Sequence, residues 1–137
     1  MLKRLAGAVI SAAVILSLSA CSSGQEKVSG PYYSFTDDAG VSIVLESKPQ
    51  RVGVLFSSYA EAYCEAGGQI YVTVGESVER GIADSDVLLV DSGAGKTIDT
   101  EALISFEPDF VICSADIKAQ ADAAALLNSA GIPAAQL

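Results

Sequence analysis

Residues 107–137, EPDFVICSADIKAQADAAALLNSAGIPAAQL, carry the pattern that decides the fold. Phe110 to Cys113 is a continuous apolar run of strand length. Asp116 opens an alanine-rich segment in which Ala119, Ala123, Leu126, Leu127 and Ala130 fall on one side of a helix, closed by Gly131 and Pro133. Ala134 to Leu137 begins another strand. Strands that are apolar on both faces and joined through a helix predict a parallel sheet covered on both sides.

The same alternation runs back toward the amino terminus. Asp99 or Thr100 can cap a short helix through Phe106, which ends at Glu107-Pro108 because the residue before proline is biased away from the helical region. Val87 to Val90, Ile70 to Val74 and Val52 to Phe56 are three more apolar runs. Ser57 or Ser58 can cap a helix over Tyr59 to Ala66, stopped by Gly67-Gly68. In the polar stretch Glu76 to Asp86, Val78 and Ile82 lie four apart and could form one helical face. Ahead of these, Tyr32 to Thr36 and Val41 to Leu45 are β-prone runs separated by Asp37-Asp38-Ala39-Gly40, a hairpin signal. The expected fold class is α/β: a mostly parallel sheet flanked by helices and preceded by a β-hairpin.

Residues 1–20 have the three parts of an export signal: Lys3 and Arg4, an apolar run from Leu5 to Leu18, then the small residues Ser19 and Ala20. The run is about 14 residues, against roughly 20 for a membrane-spanning helix, so cleavage is expected rather than a permanent span. Leu18-Ser19-Ala20-Cys21 resembles the lipobox of bacterial lipoproteins. That resemblance implies a lipid-modified Cys21 holding the chain to the membrane by more than one acyl chain, since one alone anchors only marginally. Residues 21–31 are polar and read as a flexible tether, leaving one folded unit from 32 to 137.

Taking Lys3 and Arg4 from the 8 basic residues leaves 6 against 17 acidic ones, a mature net charge of −11. Phosphate backbones would be repelled, so nucleic acid is not an expected partner. The sequence has no histidine, which removes the commonest transition-metal ligand and the usual general base. Beyond Cys21, Cys64 and Cys113 sit in apolar contexts where either a disulfide or two reduced, buried thiols is natural.

Three groups could carry chemistry. Gly93-Ala94-Gly95-Lys96-Thr97 looks like a phosphate-binding loop, but the position five before Gly95 is Val90 rather than glycine, so the first glycine of the cradle is missing. Asp91, Asp99 and Glu101 could act as paired carboxylates, yet each has a simpler role as strand end, helix cap or first-turn acid. Ser57, Ser58, Ser92 and Ser114 are conceivable nucleophiles, but no histidine is available to activate them. The remaining candidates are the loops at the carboxyl ends of the strands, where open α/β sheets place ligands. They hold Ser57, Ser58 and Tyr59; Ser92 and Gly93 beside Asp91; and Ser114 and Asp116. These residues offer hydroxyls, a ring and backbone amides, which suit binding better than turnover. Tyr59 and Tyr63 could face an aromatic ligand, Tyr63 being equally suited to the core.

Phe35-Thr36-Asp37-Asp38-Ala39-Gly40-Val41 leading to Pro49-Gln50-Arg51-Val52, then Thr100-Glu101-Ala102-Leu103-Ile104 with Glu107-Pro108-Asp109-Phe110-Val111-Ile112, then Ala130-Gly131-Ile132-Pro133, occur in an order that resembles a known family. They are similar to the amino-terminal lobe of the substrate-binding proteins of iron–siderophore, haem and cobalamin ABC importers, over about Tyr33 to Leu137. The resemblance implies a two-lobed periplasmic-binding-protein fold whose lobes are joined by a rigid helix, with a metal chelate held between them and delivered to the permease subunits. It implies no cofactor and no catalysis. It also implies that Glu101 docks on permease arginines, and that the chain works at the extracytoplasmic face of the membrane or in a periplasm. The linking helix and second lobe do not follow Leu137, as expected of a piece of a longer gene product. A free-standing lobe would leave much of its ligand wet. The rival expectations are an exported serine-type hydrolase and a scaffolding lipoprotein without ligand.

Overall fold

A computed structural model describes residues 30–137. The predicted signal peptide, Cys21 and nearly all of the tether lie outside the described residues. β1 (Tyr33–Thr36) and β2 (Ser42–Leu45) pair antiparallel with Tyr33 opposite Leu45 and Thr36 opposite Ser42. The hairpin buries Ile43 and Leu45 beside Ala135 and leaves Tyr33 and Val44 exposed. Five further strands form a wholly parallel sheet: β3 (Val52–Val54), β4 (Ile70–Thr73), β5 (Leu88–Leu89), β6 (Phe110–Cys113) and β7 (Ala134–Gln136). Their order is β5-β4-β3-β6-β7. From β3 the chain therefore winds one way to β5, then returns to lay β6 and β7 on the other side.

Four helices connect the strands: α1 (Ser57–Glu65), α2 (Gly75–Glu79), α3 (Thr100–Ser105) and α4 (Lys118–Ser129). Leu55, Val72, Val74, Leu103, Val111 and Leu127 make the centre of one core, each almost completely hidden from solvent. Val52, Val54 and Ala60 fill a second cluster with Ile70 and Ile82 against it. Among the described residues no helix is long and apolar enough to cross a membrane.

Several sequence expectations are corrected. Ser57 and Ser58 lie inside α1 rather than ahead of it; Phe56 is the cap residue and supplies no side-chain bond, so the first turn is held by its connection to β3. The polar stretch forms only the short α2, because Gly81 turns the chain at φ +69° before Ile82 can extend a helical face. Ile82 instead packs against the cluster of Val52, Val54 and Ala60, from β3 and α1. The alanine-rich helix starts at Lys118, with Asp116 in the preceding turn. Its buried stripe is Gln120, Ala123, Ala124 and Leu127, leaving Leu126 46% exposed. Counting apolar residues alone rotates this helix, because the residue that turns inward beside the alanines is an amide with partners to satisfy it. Asp99 caps α3 as expected, its Oδ1 accepting from the Ala102 amide at 2.9 Å. Cys64 and Cys113 are separate thiols, and burial pushes Cys113 up to about 12.

Candidate functional site

The strand order puts a reversal of winding between β3 and β6, and at the carboxyl ends of those strands the two flanking loops diverge. A single side chain fills the gap. Gln120, reaching in from the first turn of α4, accepts from the Ser114 amide through Oε1 at 2.8 Å. Its Nε2 donates to the Leu55 carbonyl at 2.7 Å and to the Gly95 carbonyl at 3.1 Å. The end of β3, the loop after β5 and the loop after β6 are thus tied together by one buried amide. Among the described residues no buried side-chain nitrogen or oxygen lacks a partner.

Backbone bonds complete the rim. The Gly75 amide donates to the Asp91 carbonyl at 2.8 Å and the Glu76 amide to the Gly93 carbonyl at 2.9 Å. A Cβ on Gly75 would stand 2.1 Å from the Ser92 carbonyl oxygen, so only glycine lets α2 approach the loop after β5 this closely. On the far side the Tyr59 hydroxyl donates to the Leu137 carbonyl at 2.8 Å, and the Tyr59 ring meets Phe56 edge to face with centroids 5.0 Å apart.

The predicted ligand-binding residues all fall on this carboxyl edge, but they differ in what they can offer. Ser57 is 1% exposed, and its hydroxyl donates to the Glu76 carboxylate while accepting from Arg80 Nη1 at 3.0 Å. Arg80 in turn pairs with Glu61 at 2.6 Å. This network links α1 to α2 and leaves Ser57 without a free lone pair turned to solvent. Ser114 is buried and its hydroxyl accepts from the Asp116 amide at 3.3 Å. Ser58, Ser92, Gly93 and Asp116 are exposed, and Tyr59 is half-buried. Glu101 is exposed in the first turn of α3, at the same edge. Tyr63 lies near the opposite end of α1, its ring packed under Gly68 where burial raises its pKa.

The segment Gly93 to Thr97 is not an anion cradle. Asp91 Oδ2 accepts from the Gly95 amide at 2.6 Å and Oδ1 from the Thr97 hydroxyl at 3.0 Å, so a carboxylate of the protein occupies the donors that a phosphate would need. Among the serines, Ser57 does meet a carboxylate, Glu76, but it is buried and Arg80 holds the same hydroxyl, so the pair is not presented to a ligand; Ser114 is buried as well. Gln120, Phe56 and the Glu76–Ser57–Arg80 network were not singled out from sequence. The one signal available for Gln120 was an uncharged amide between two alanines near the start of the helix. A concavity of about 560 Å³ lies at the amino edge instead, between Cys64, Ile70, Ile82 and Leu88, far from the loops of the rim.

No protein-family model matches the sequence, and no curated protein matches it. Solved structures do. The haem-binding protein HmuT superposes with a TM-score of 0.64 at 24% identity, over 78% of this chain and 34% of its own. The periplasmic catecholate-siderophore binding protein VctP from Vibrio cholerae gives a TM-score of 0.59 at 20% identity, over 76% and 36%. SirA from Staphylococcus aureus, solved with staphyloferrin B, gives 0.59 at 17% identity, also over 76% and 36%. The chain spans about a third of the length of these proteins. It therefore has the fold of a lobe-sized part of siderophore- and haem-binding periplasmic binding proteins.

Proposed function

We propose that this chain is the amino-terminal lobe of the solute-binding component of an ABC importer, which captures an iron–siderophore or related metal chelate and delivers it to the membrane permease. One observation carries the reading: candidate residues from three separate loops lie on the carboxyl edge of a parallel sheet, two of those loops flanking its reversal of winding, and Ser58, Ser92, Gly93 and Asp116 among them are exposed. The likeness to solved siderophore- and haem-binding proteins supports it.

In this reading Ser58, Tyr59, Ser92, Gly93 and Asp116 touch the ligand, while Ser57 and Ser114 act from behind by holding the loops. Ser57 and Glu76 form a hydroxyl–carboxylate pair, but burial against Arg80 keeps that hydroxyl from a ligand, which favours capture and release over turnover. Glu101 docks on the permease, and an acylated Cys21 holds the chain at the extracytoplasmic face of the membrane. Residues 1–20 are removed as a signal peptide, 21–31 form the tether, and 32–137 the lobe.

Isothermal calorimetry of the chain with ferric siderophores and haemin tests the reading. Weak but saturable binding is expected, because an open rim leaves much of the ligand in water. Glu101→Ala should leave that affinity unchanged and lower chelate uptake in cells that carry the importer. Absence of binding to every chelate, or normal uptake in the Glu101→Ala variant, would count against the capture and docking roles respectively.

A further inference from the structure

Seven large apolar or aromatic side chains are exposed among the described residues, and four of them, Tyr32, Tyr33, Val41 and Val44, belong to the hairpin or its flanks. The two tyrosines are the most open of all, at 56% and 59%. Tyr33 lies opposite Leu45, while the turn at Asp37 and Asp38 bonds to Gln136 near the end of β7. The tyrosine end of the hairpin is therefore at the amino edge of the sheet. Beside it a concavity of about 270 Å³ opens between Val44, Leu45, Pro49, Pro108, Ile132 and Pro133. Of the carboxylates that line it, Asp109 is engaged by the Gln50 and Arg51 amides and Glu46 is exposed.

These two tyrosines are presented differently from others in the chain. Tyr59 and Tyr71 donate their hydroxyls to backbone carbonyls, at 2.8 and 3.0 Å, whereas those of Tyr32 and Tyr33 meet no partner among the described residues. The Tyr33 ring is held in place: it leans on Phe35 with centroids 5.8 Å apart, and Phe35 meets Phe110 edge to face at 6.5 Å. A fixed apolar ring ending in a wet hydroxyl suits the boundary between water and lipid. Neither β1 nor β2 contains a charged residue, in a chain of net charge −9, so here an acidic protein can approach a headgroup layer with little ionic repulsion.

The chain ahead of the hairpin brings such a layer within reach. Cys21 precedes Tyr32 by eleven positions, at most about 36–40 Å of extended chain. A short linker of this kind gives a second contact an effective concentration in the millimolar range, so a contact too weak to recruit a free protein is populated on an anchored one. Residues 22–30 hold Val28 as their one large apolar side chain and cannot cover the face themselves. We propose that the tyrosine end of the hairpin, with the concavity beside it, rests in the interface of the bilayer that holds Cys21. The contact keeps the carboxyl edge, at the other end of the sheet, clear of lipid. This rests on the acylated Cys21 of the reading above.

The sequence contains no tryptophan, so one substitution supplies one fluorescent reporter. The full chain, acylated by its host, is returned to phosphatidylcholine vesicles brominated near the headgroup end of their acyl chains. Tyr33→Trp should shift its emission to the blue and be quenched, while Leu89→Trp, on the far edge strand β5, should emit as in water. Adding Tyr32→Ser and Val44→Ser to Tyr33→Trp should reduce the quenching, and salt should leave it unchanged because no ion pair is involved. Equal quenching of the two reporters, or none of Tyr33→Trp in a chain that floats with the vesicles, would overturn the hairpin contact while leaving the anchor standing. A blue shift of Tyr33→Trp that grows with protein concentration without lipid would assign the face to a second copy and overturn the contact likewise. Failure of Cys21 to take up labelled fatty acid would overturn both.

Discussion

Replacing Gln120 by leucine keeps the side-chain volume and removes three hydrogen bonds at the reversal of winding. The Leu55 carbonyl, the Gly95 carbonyl and the Ser114 amide each lose their partner in this amide. A buried polar group left unpaired costs about 1–3 kcal/mol. Gly95 is buried too, but its neighbour Lys96 is exposed, so its carbonyl is the easiest of the three to rehydrate, whereas Leu55 and Ser114 are almost fully enclosed. Two orphaned groups, offset by the gain from burying leucine in place of an amide, give a net loss of about 2–3 kcal/mol. For a domain of this size that lowers Tm by roughly 10–20 °C. Urea and thermal unfolding followed by circular dichroism measure it directly, and hydrogen exchange should show faster exchange at Gly95 and Ser114. Leu126→Gln, on the exposed side of the same helix, should stay within about 0.5 kcal/mol of the parent. A Gln120→Leu protein that melts within about 2 °C of the parent would refute the assignment of this amide as the tie between the three loops.

Two further outcomes are expected. Gly95→Ala should cost clearly more than Gly40→Ala: both glycines have positive φ, at +73° and +79°, but only Gly95 has atoms in the space a Cβ would fill. The difference should be about 1–3 kcal/mol, the usual cost of overpacking, and comparable melting temperatures would remove the steric argument. Cys113 is raised from 9.0 to about 12 by burial, so the unfolded chain ionises first as pH climbs. Stability from this group is fully present below about 9 and is lost as pH rises toward about 12, by up to about 4 kcal/mol. Cys113→Ala should flatten that alkaline decline, measured as urea midpoint against pH, and an unchanged slope would contradict it.

The order of elements and the parallel class were legible in the sequence because both are written in short-range patterns. Continuous apolar runs at 70–74 and 110–113 mark strands covered on two faces, and Asp99, Gly67 and Pro108 punctuate the helices between them. The carboxyl-edge placement of Ser58, Tyr59, Ser92 and Asp116 followed from that order alone. Which of the candidates face solvent did not. Ser57 and Ser114 carry the same hydroxyl as Ser58 and Ser92, but Arg80 and Glu76 engage that of Ser57, and Ser114 is buried with its hydroxyl accepting from the Asp116 amide.

Sequence by itself determined the alternation of strands and helices, the hairpin ahead of them and the acidic surface, since each depends on residues a few positions apart. Tertiary structure alone decided the strand order, the inward turn of Gln120 and the filling of the Gly95 loop by Asp91. It also decided the sealing of the β7 edge, where Asp37 accepts from the Gln136 amide across 99 residues at 3.0 Å. The physical reason is that apolar burial has a period that can be counted along the chain, whereas a buried polar group is stable only where its partner is. Gln120 finds its partner 65 residues away, at Leu55, and local spacing carries no record of that distance.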